Sequence, residues 1–209
     1  MKNNKKCLKI SLIIVAVMLS VTALGLLIFS SIYDSKLIYS VSKRVVQDGI
    51  VYHCSSTVNT CRVSDIELTP NNQFVEVIIP NKLDDGTIVE GLGFVTKGEE
   101  WLSFSLEGKR LVGVSGVKVE ELEEDKITYF FVKIKLGKNI ALADCVLDNE
   151  KYIYRMGNTD EYICINLTYE VSPDNKWYYS ENGKLYEKED AGFFESSRLF
   201  RVWQARKDD

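Results

Sequence analysis

Three residues of reactive types, His53, Cys54 and Cys61, lie close together in this chain of 209 residues. A cysteine with a histidine base could act as a nucleophile, and the same residue types could ligate a metal. His53 and Cys54 are neighbours in a segment of β character, where adjacent side chains point to opposite faces. His53 is also the only histidine, so other constellations lack the most frequent general base. The sequence predicts no catalytic residue, no metal site and no cofactor, and therefore no enzyme.

Disulfide chemistry suits the cysteines better. Cys54, Cys61, Cys145 and Cys164 form an even set, as expected in an oxidising compartment. The stretch GIVYHCSSTVNTCRVSDIEL has two β-rich segments around the polar loop 55–60, and a hairpin there would bring Cys54 opposite Cys61. We predict that bond, and a Cys145–Cys164 bond by elimination. The alternative is that each cysteine is a small buried hydrophobe.

An uncharged apolar run, residues 10–32, is long enough to cross a hydrocarbon core of roughly 30 Å as a helix. Four lysines precede it without an acidic residue, so the positive-inside tendency predicts a cytoplasmic tail at 1–9. The expected order is then a transmembrane helix at 10–32, a stalk at 33–47 and an extracellular domain at 48–209. A cleaved signal peptide, which would make the protein secreted, is the alternative.

The charge of the chain argues against nucleic acid as a partner. Without the four N-terminal lysines the remaining chain has 22 basic and 30 acidic residues, a net charge of −8. A phosphate backbone needs clustered Lys and Arg to release its counterions. We therefore expect no nucleic-acid binding.

Strand-like segments recur along the second part of the chain. Five of them are 74–79, 102–106, 131–136, 165–171 and 199–203, with centres 27 to 35 residues apart. Even spacing of this kind is typical of a solenoid, in which each unit buries its apolar side against its neighbours. A β-sandwich, with strands every 8 to 12 residues, remains the alternative.

Two stretches resemble a known family. FVEVIIPNKLDDGTIVEGLG, residues 74–93, resembles the opening unit of BspA-like leucine-rich-repeat proteins of bacterial surfaces, and the preceding hairpin sequence resembles their lead-in. YEVSPDNKWYYSENGKLYEKED, residues 169–190, is similar to the inserted hairpin of that family. The resemblance covers roughly 48–94 and 165–188. It implies a mainly β, degenerate leucine-rich-repeat-like solenoid with an N-terminal hairpin.

The resemblance also implies a membrane-anchored interaction module that binds a protein or glycan at the bacterial cell surface. One alternative is an accessory subunit of an envelope complex, and another is a secreted β-sandwich protein. Strand alternation through Trp177, Tyr178 and Tyr179 suggests that Tyr178 packs inward. Trp177 and Tyr179 would then form a surface contact patch, since aromatic residues are enriched in binding hot spots. The alternative is that all three cover the end of the solenoid.

Overall fold

The computed structural model describes residue 15 and residues 17–25, 42–55, 59–96, 99–114, 117–147, 151–157 and 159–188. The fold is mainly β, as the sequence predicts. Its strands are β1 (Ser42–Gln47), β2 (Ile50–Ser55), β3 (Thr60–Leu68), β4 (Phe74–Ile79), β5 (Ile88–Leu92), β6 (Phe94–Thr96), β7 (Glu99–Trp101), β8 (Ser103–Leu106), β9 (Lys109–Arg110), β10 (Val112–Gly113), β11 (Ile127–Leu136), β12 (Lys151–Arg155), β13 (Tyr162–Val171), β14 (Tyr178–Glu181) and β15 (Lys184–Glu187). Short 3-10 helices span Val119–Glu121, Glu124–Lys126 and Asp144–Val146.

Most of these strands belong to one of two larger sheets. The first has the order β1-β2-β3-β8-β9, with β5 also paired to β3, and the second has the order β10-β12-β13-β11-β4. The hairpins β14-β15 and β6-β7 form small sheets of their own. Inward side chains of both larger sheets, such as Val63 and Phe104 from the first and Ile134 and Ile165 from the second, belong to one hydrophobic cluster. The core therefore lies between the two sheets.

Two-residue turns close three of the hairpins. The turns are Asp48-Gly49, Glu107-Gly108 and Asn182-Gly183, and every residue in them has positive φ. Such turns match the twist of the flanking strands and favour Asn or Asp followed by Gly. The hairpin expected around loop 55–60 is confirmed, because β2 and β3 pair antiparallel from Ser55 to Thr60 onward.

The expected stalk at 33–47 needs a correction in its last six residues. Residues 42–47 form β1, which pairs antiparallel with β2. The sequence SKRVVQ is too polar to signal a buried strand, but β1 is an edge strand and needs only one neighbour. The Asp48-Gly49 turn brings β1 beside β2, which is that neighbour, so the sheet begins before residue 48. Residues 33–41 lie outside the described residues.

Three strands stack in parallel in the second sheet: β4 pairs with β11, and β11 pairs with β13. Ile79 lies opposite Leu136 and Leu136 opposite Val171, positions 57 and 35 residues apart in sequence. The expected repeat of about 30 residues is therefore wrong between β4 and β11. The segment at 102–106, expected to lie between them, pairs with β3 in the first sheet instead, because the chain enters that sheet before it returns to form β11. The predicted strand at 199–203 lies outside the described residues.

The segment after β11, residues 137–147, which we call the return segment, packs along β5. Ala141 and Leu142 both donate backbone N–H groups to the carbonyl of Glu90, and Leu92 donates to the carbonyl of Leu142 at 2.7 Å. Gly91 pairs with Leu142 in a parallel bridge. A Cβ atom at Gly91 would lie 2.6 Å from the Leu142 oxygen. Only glycine allows this approach of two backbones.

At the N-terminus, residues 17–25 are helical. No helix in the described part of the chain has both the length and the apolar character needed to cross a bilayer. The predicted span at 10–32 falls mostly on residues outside the described ones, namely 10–14, 16 and 26–32.

We expect Gly91→Ala to lower the free energy of unfolding by roughly 1–3 kcal/mol, as overpacking does in a tight core. Gly113→Ala is the matched control, because the nearest atom to its added Cβ is a Tyr154 ring carbon at 3.9 Å. Its effect should stay within about 0.5 kcal/mol. Urea unfolding followed by fluorescence measures both variants. Equal midpoints for the two would contradict the close contact between β5 and the return segment.

Candidate functional site

Exposed apolar side chains gather on one side of the parallel strands. Phe74 and Ile78 on β4 are 72% and 62% exposed, and Phe131 on β11 is 43% exposed. The Phe74 and Phe131 rings stack with centroids 5.1 Å apart at an angle of 13°. Strand alternation sends these side chains away from the core, while Val77 and Ile79 point into it. We call this surface, with the charged residues between its apolar members, the outer face.

Paired charges occupy the middle of the outer face. Lys135 Nζ lies 3.0 Å from Glu76 Oε1, and Lys133 is bonded to Glu170 on β13. The hydrogen bond that Lys135 donates to Glu76 raises the pKa of Lys135, and the bond that Lys133 donates to Glu170 lowers the pKa of Glu170. Both pairs are solvent-exposed, so their contribution to stability is small. Their effect is to cancel charge beside the phenylalanines, which leaves the outer face nearly neutral.

Among the strands that the structure describes, β4 is the last of its sheet, and the outer face ends there. Phe131 N–H donates to the Gln73 carbonyl at 2.7 Å, and Phe131 lies opposite Phe74. In a parallel ladder this geometry directs the backbone groups of Val75 and Val77 toward β11. The backbone N–H and C=O groups of Glu76 then point to the free edge. Exposed apolar side chains and an open strand edge are therefore adjacent.

A groove runs along that edge. It encloses about 270 Å³ between β4 and the Asp48-Gly49 turn. Its lining includes the apolar residues Ile50 and Ile66 and the acidic residues Asp48, Glu67 and Glu76.

The predicted contact patch at Trp177 and Tyr179 needs a correction. Trp177 is only 5% exposed, whereas Tyr179 is 42% exposed and stacks on Tyr186 with centroids 5.2 Å apart. Tyr178 is buried with Leu185, as the alternation predicts. The alternation does not extend to Trp177 because β14 begins only at Tyr178. Trp177 lies in the preceding bend and packs in the core.

Asn175 explains that bend. Its side-chain oxygen accepts the N–H groups of Trp177 at 2.9 Å and Tyr178 at 2.8 Å. Its amide nitrogen donates to the carbonyls of Gly137 and Ile140, each at 2.9 Å. Asn175 is buried, and these four bonds use both donors and both lone pairs of its amide. The hairpin β14-β15 is thus attached to the return segment, which orients Trp177 inward.

The cysteines separate into a bonded pair and two thiols. A disulfide joins Cys54 to Cys61, which lie directly opposite each other with Cα atoms 4.0 Å apart. The Cys145–Cys164 bond expected by elimination is absent. Cys145 packs against the core near the Leu92 carbonyl, whereas Cys164 lies on the opposite side of β13 from its core-facing residues. Burial raises the pKa of the Cys164 thiol.

A second, polar groove of about 360 Å³ lies on the first sheet and includes His53. There Ser103 donates to Asp65 at 2.7 Å, and Gly108 N–H donates to Glu67 at 2.7 Å. Ser105 Oγ is bonded to both carboxylates. These contacts join β3 to β8 and to the following turn. The two acids therefore have a structural role, which makes this groove the weaker candidate for ligand binding.

Among the described residues, no group of three or more His, Cys, Asp or Glu side chains is arranged to hold a metal ion. No family model, curated protein or solved structure matches the chain. The resemblance to leucine-rich-repeat proteins therefore stays a prediction.

Reasoning from the sequence missed the outer face. In FVEVII both alternating sets are mostly apolar, Phe74 and Ile78 in one and Val75, Val77 and Ile79 in the other. Within the segment, Glu76 belongs to the set of Phe74 and Ile78, and its charge indicates that this set faces solvent. The neighbouring strand supplies the same signal, since Lys133 and Lys135 share the face of Phe131 and must be solvated.

We expect Trp177→Ala to cost about 3–5 kcal/mol of stability, because it leaves a cavity in the core. Tyr179→Ala removes an exposed ring and should cost about 1 kcal/mol or less. Thermal and urea unfolding of both variants checks this difference. A stable Trp177→Ala variant would contradict the buried position.

Protonation of His53 should destabilise the fold. Burial, with a smaller effect from Arg44, lowers its pKa below the usual 6.5. The unfolded chain then takes up a proton more readily than the folded one, so stability is full above pH 6.5 and decreases as the pH falls through the folded-state pKa. Because His53 is the only histidine, NMR titration of its ring protons gives the pKa directly. The His53→Gln variant should lose this part of the pH dependence, and a pKa at or above 6.5 would contradict it.

Proposed function

We propose that the chain is a membrane-anchored interaction module, displayed outside the cell, that binds a partner protein through the outer face. The observation that carries the proposal is the stacked, exposed pair Phe74 and Phe131 with Ile78 beside it. Aromatic residues are enriched at binding interfaces, where removing their large surface from water is favourable. The role proposed is therefore binding rather than catalysis.

The proposed location is supported by two independent features. The uncharged run at 10–32 after four lysines is typical of a signal anchor with a cytoplasmic N-terminus. The disulfide between Cys54 and Cys61 fits an oxidising compartment, in which the rest of the chain would lie.

We further propose that the β domain is a degenerate solenoid. Three features support this: the parallel stack of β4, β11 and β13, the parallel bridge between Gly91 and Leu142, and the attachment of Tyr178 to the return segment. Each strand of the stack is followed by a segment that contacts its counterpart in the next turn. A solenoid of this kind presents its stacked strands as a continuous surface, which suits partner binding.

Affinity capture from envelope extract tests the proposed function. The full-length chain is immobilised as wild type, as the double variant Phe74→Ser/Phe131→Ser and as the control Val112→Ser. Val112 is a similarly exposed apolar residue on β10, at the other end of the same sheet. We expect a protein captured by the wild type and the control, and at least about tenfold less of it on the double variant.

The stability of all three should agree within about 1 kcal/mol, since the changes are on the surface. Protease treatment of the extract should abolish capture, whereas periodate, which oxidises glycans, should not. Equal capture by the double variant would overturn the role of the outer face. Loss of capture after periodate alone would make the partner a glycan.

A further inference from the structure

We propose that the free edge of β4 accepts an extended, Lys- or Arg-containing peptide segment of the partner as an added β-strand. This inference rests on the proposed function and names the form in which the partner binds. Strand addition to an open sheet edge gains affinity from main-chain hydrogen bonds and specificity from the side chains beside the new strand. The edge of β4 offers both.

The backbone supplies the template. Within the described residues β4 pairs with β11 alone. Phe74 N–H, which points outward, donates to Asn72 Oδ1 at 3.3 Å. Glu76 and Ile78 come next in the same alternation, so their N–H and C=O groups also point outward. An added strand pairs with these groups without disturbing the ladder between β4 and β11.

The side chains around the edge select the occupant. On the core side of the edge, the groove is lined by the apolar residues Ile50 and Ile66. On the solvent side, the added strand would lie beside the exposed Ile78. Among the described residues, the groove lining includes the acidic residues Asp48, Glu67 and Glu76 but neither Lys nor Arg. The Glu67 carboxylate is bonded to Gly108 N–H and Ser105 in the polar groove of the first sheet, and Glu76 is paired with Lys135, so Asp48 supplies the acidic group for a basic residue of the added strand. A strand with apolar and basic residues is complementary to this groove.

Charge also disfavours a second copy of the chain. In an antiparallel pair of two β4 strands centred on Glu76, the register that pairs the outward backbone groups of both strands, Glu76 would lie opposite the same residue of its partner. Like charges directly opposite each other destabilise a strand pair.

Backbone-directed variants test the edge. The purified full-length chain is titrated with two fluorescein-labelled peptides, one of alternating Val and Lys and one of alternating Val and Glu. Binding is measured by fluorescence anisotropy at low and physiological ionic strength. We expect the Lys peptide to bind more tightly than the Glu peptide by at least tenfold, and salt to weaken it.

Glu76→Pro removes one outward N–H and leaves the ladder to β11 intact, which edge strands tolerate. This change should weaken binding of the Lys peptide about tenfold, as expected for the loss of one hydrogen bond together with the carboxylate. Glu76→Ala keeps the N–H and is the matched control, with an expected loss of only a fewfold. Val77→Pro breaks the ladder to β11 and should lower the melting temperature, which checks the assigned direction of the N–H groups.

If Glu76→Pro fails to fold, hydrogen exchange of the wild type replaces it: the Glu76 and Ile78 amides should become protected when the Lys peptide saturates the chain. Unchanged exchange there, or equal binding by folded Glu76→Pro and Glu76→Ala, overturns the inference. The proposed function is separable from it. Captured partner that is lost with the Phe74→Ser/Phe131→Ser variant but unaffected by Glu76→Pro supports the outer face and rejects strand addition.

Discussion

The parallel pairing of β4, β11 and β13 is the constraint on which the rest of the structure depends. Parallel strands cannot be joined by tight turns, so the chain must leave the sheet and come back. The backbone of the return segment is then buried and needs hydrogen-bond partners, each missing one costing about 1–3 kcal/mol. Glu90 and Leu92 supply them on one side. Asn175 and the Tyr178 hydroxyl, 2.9 Å from Ala143 N, supply them on the other, so the C-terminal hairpin completes the core.

The buried ion pair of Arg62 and Glu90 has a comparable role in the first sheet. Arg62 Nε lies 3.5 Å from Glu90 Oε1, and both side chains are almost fully buried. Removing one partner of a buried ion pair typically costs about 3–5 kcal/mol. The pair also fixes register, because a one-residue slip of β3 would turn Arg62 into the apolar core. Glu90 thus links the two systems: its side chain orients β3 while its carbonyl holds the return segment.

Local patterns predicted the parts of this fold that depend on local physics. The β-rich segments around loop 55–60 and the Asn182-Gly183 turn predicted two hairpins, and FVEVII predicted β4 with its actual bounds. The pairing of strands distant in sequence was not predictable, because apolar strands such as β8 can pair equally well in either sheet. The predicted exposure of Trp177 was wrong for a similar reason. It depends on Asn175 binding the return segment, a contact about 35 residues away in sequence.

The stacked strands also differ in what they present to solvent, and folding does not require that difference. The outward positions of β13 include Thr168 and Glu170, which satisfy the sheet without exposing apolar surface. On β4, Phe74 and Ile78 occupy such positions beside an open edge, where natural sheets usually place charge to block association. The one outward charge there, Glu76, is compensated by Lys135. The edge therefore keeps little of the repulsion that protects such strands. Under the proposed strand addition, Asp48 in the groove beside it would favour a basic over an acidic segment.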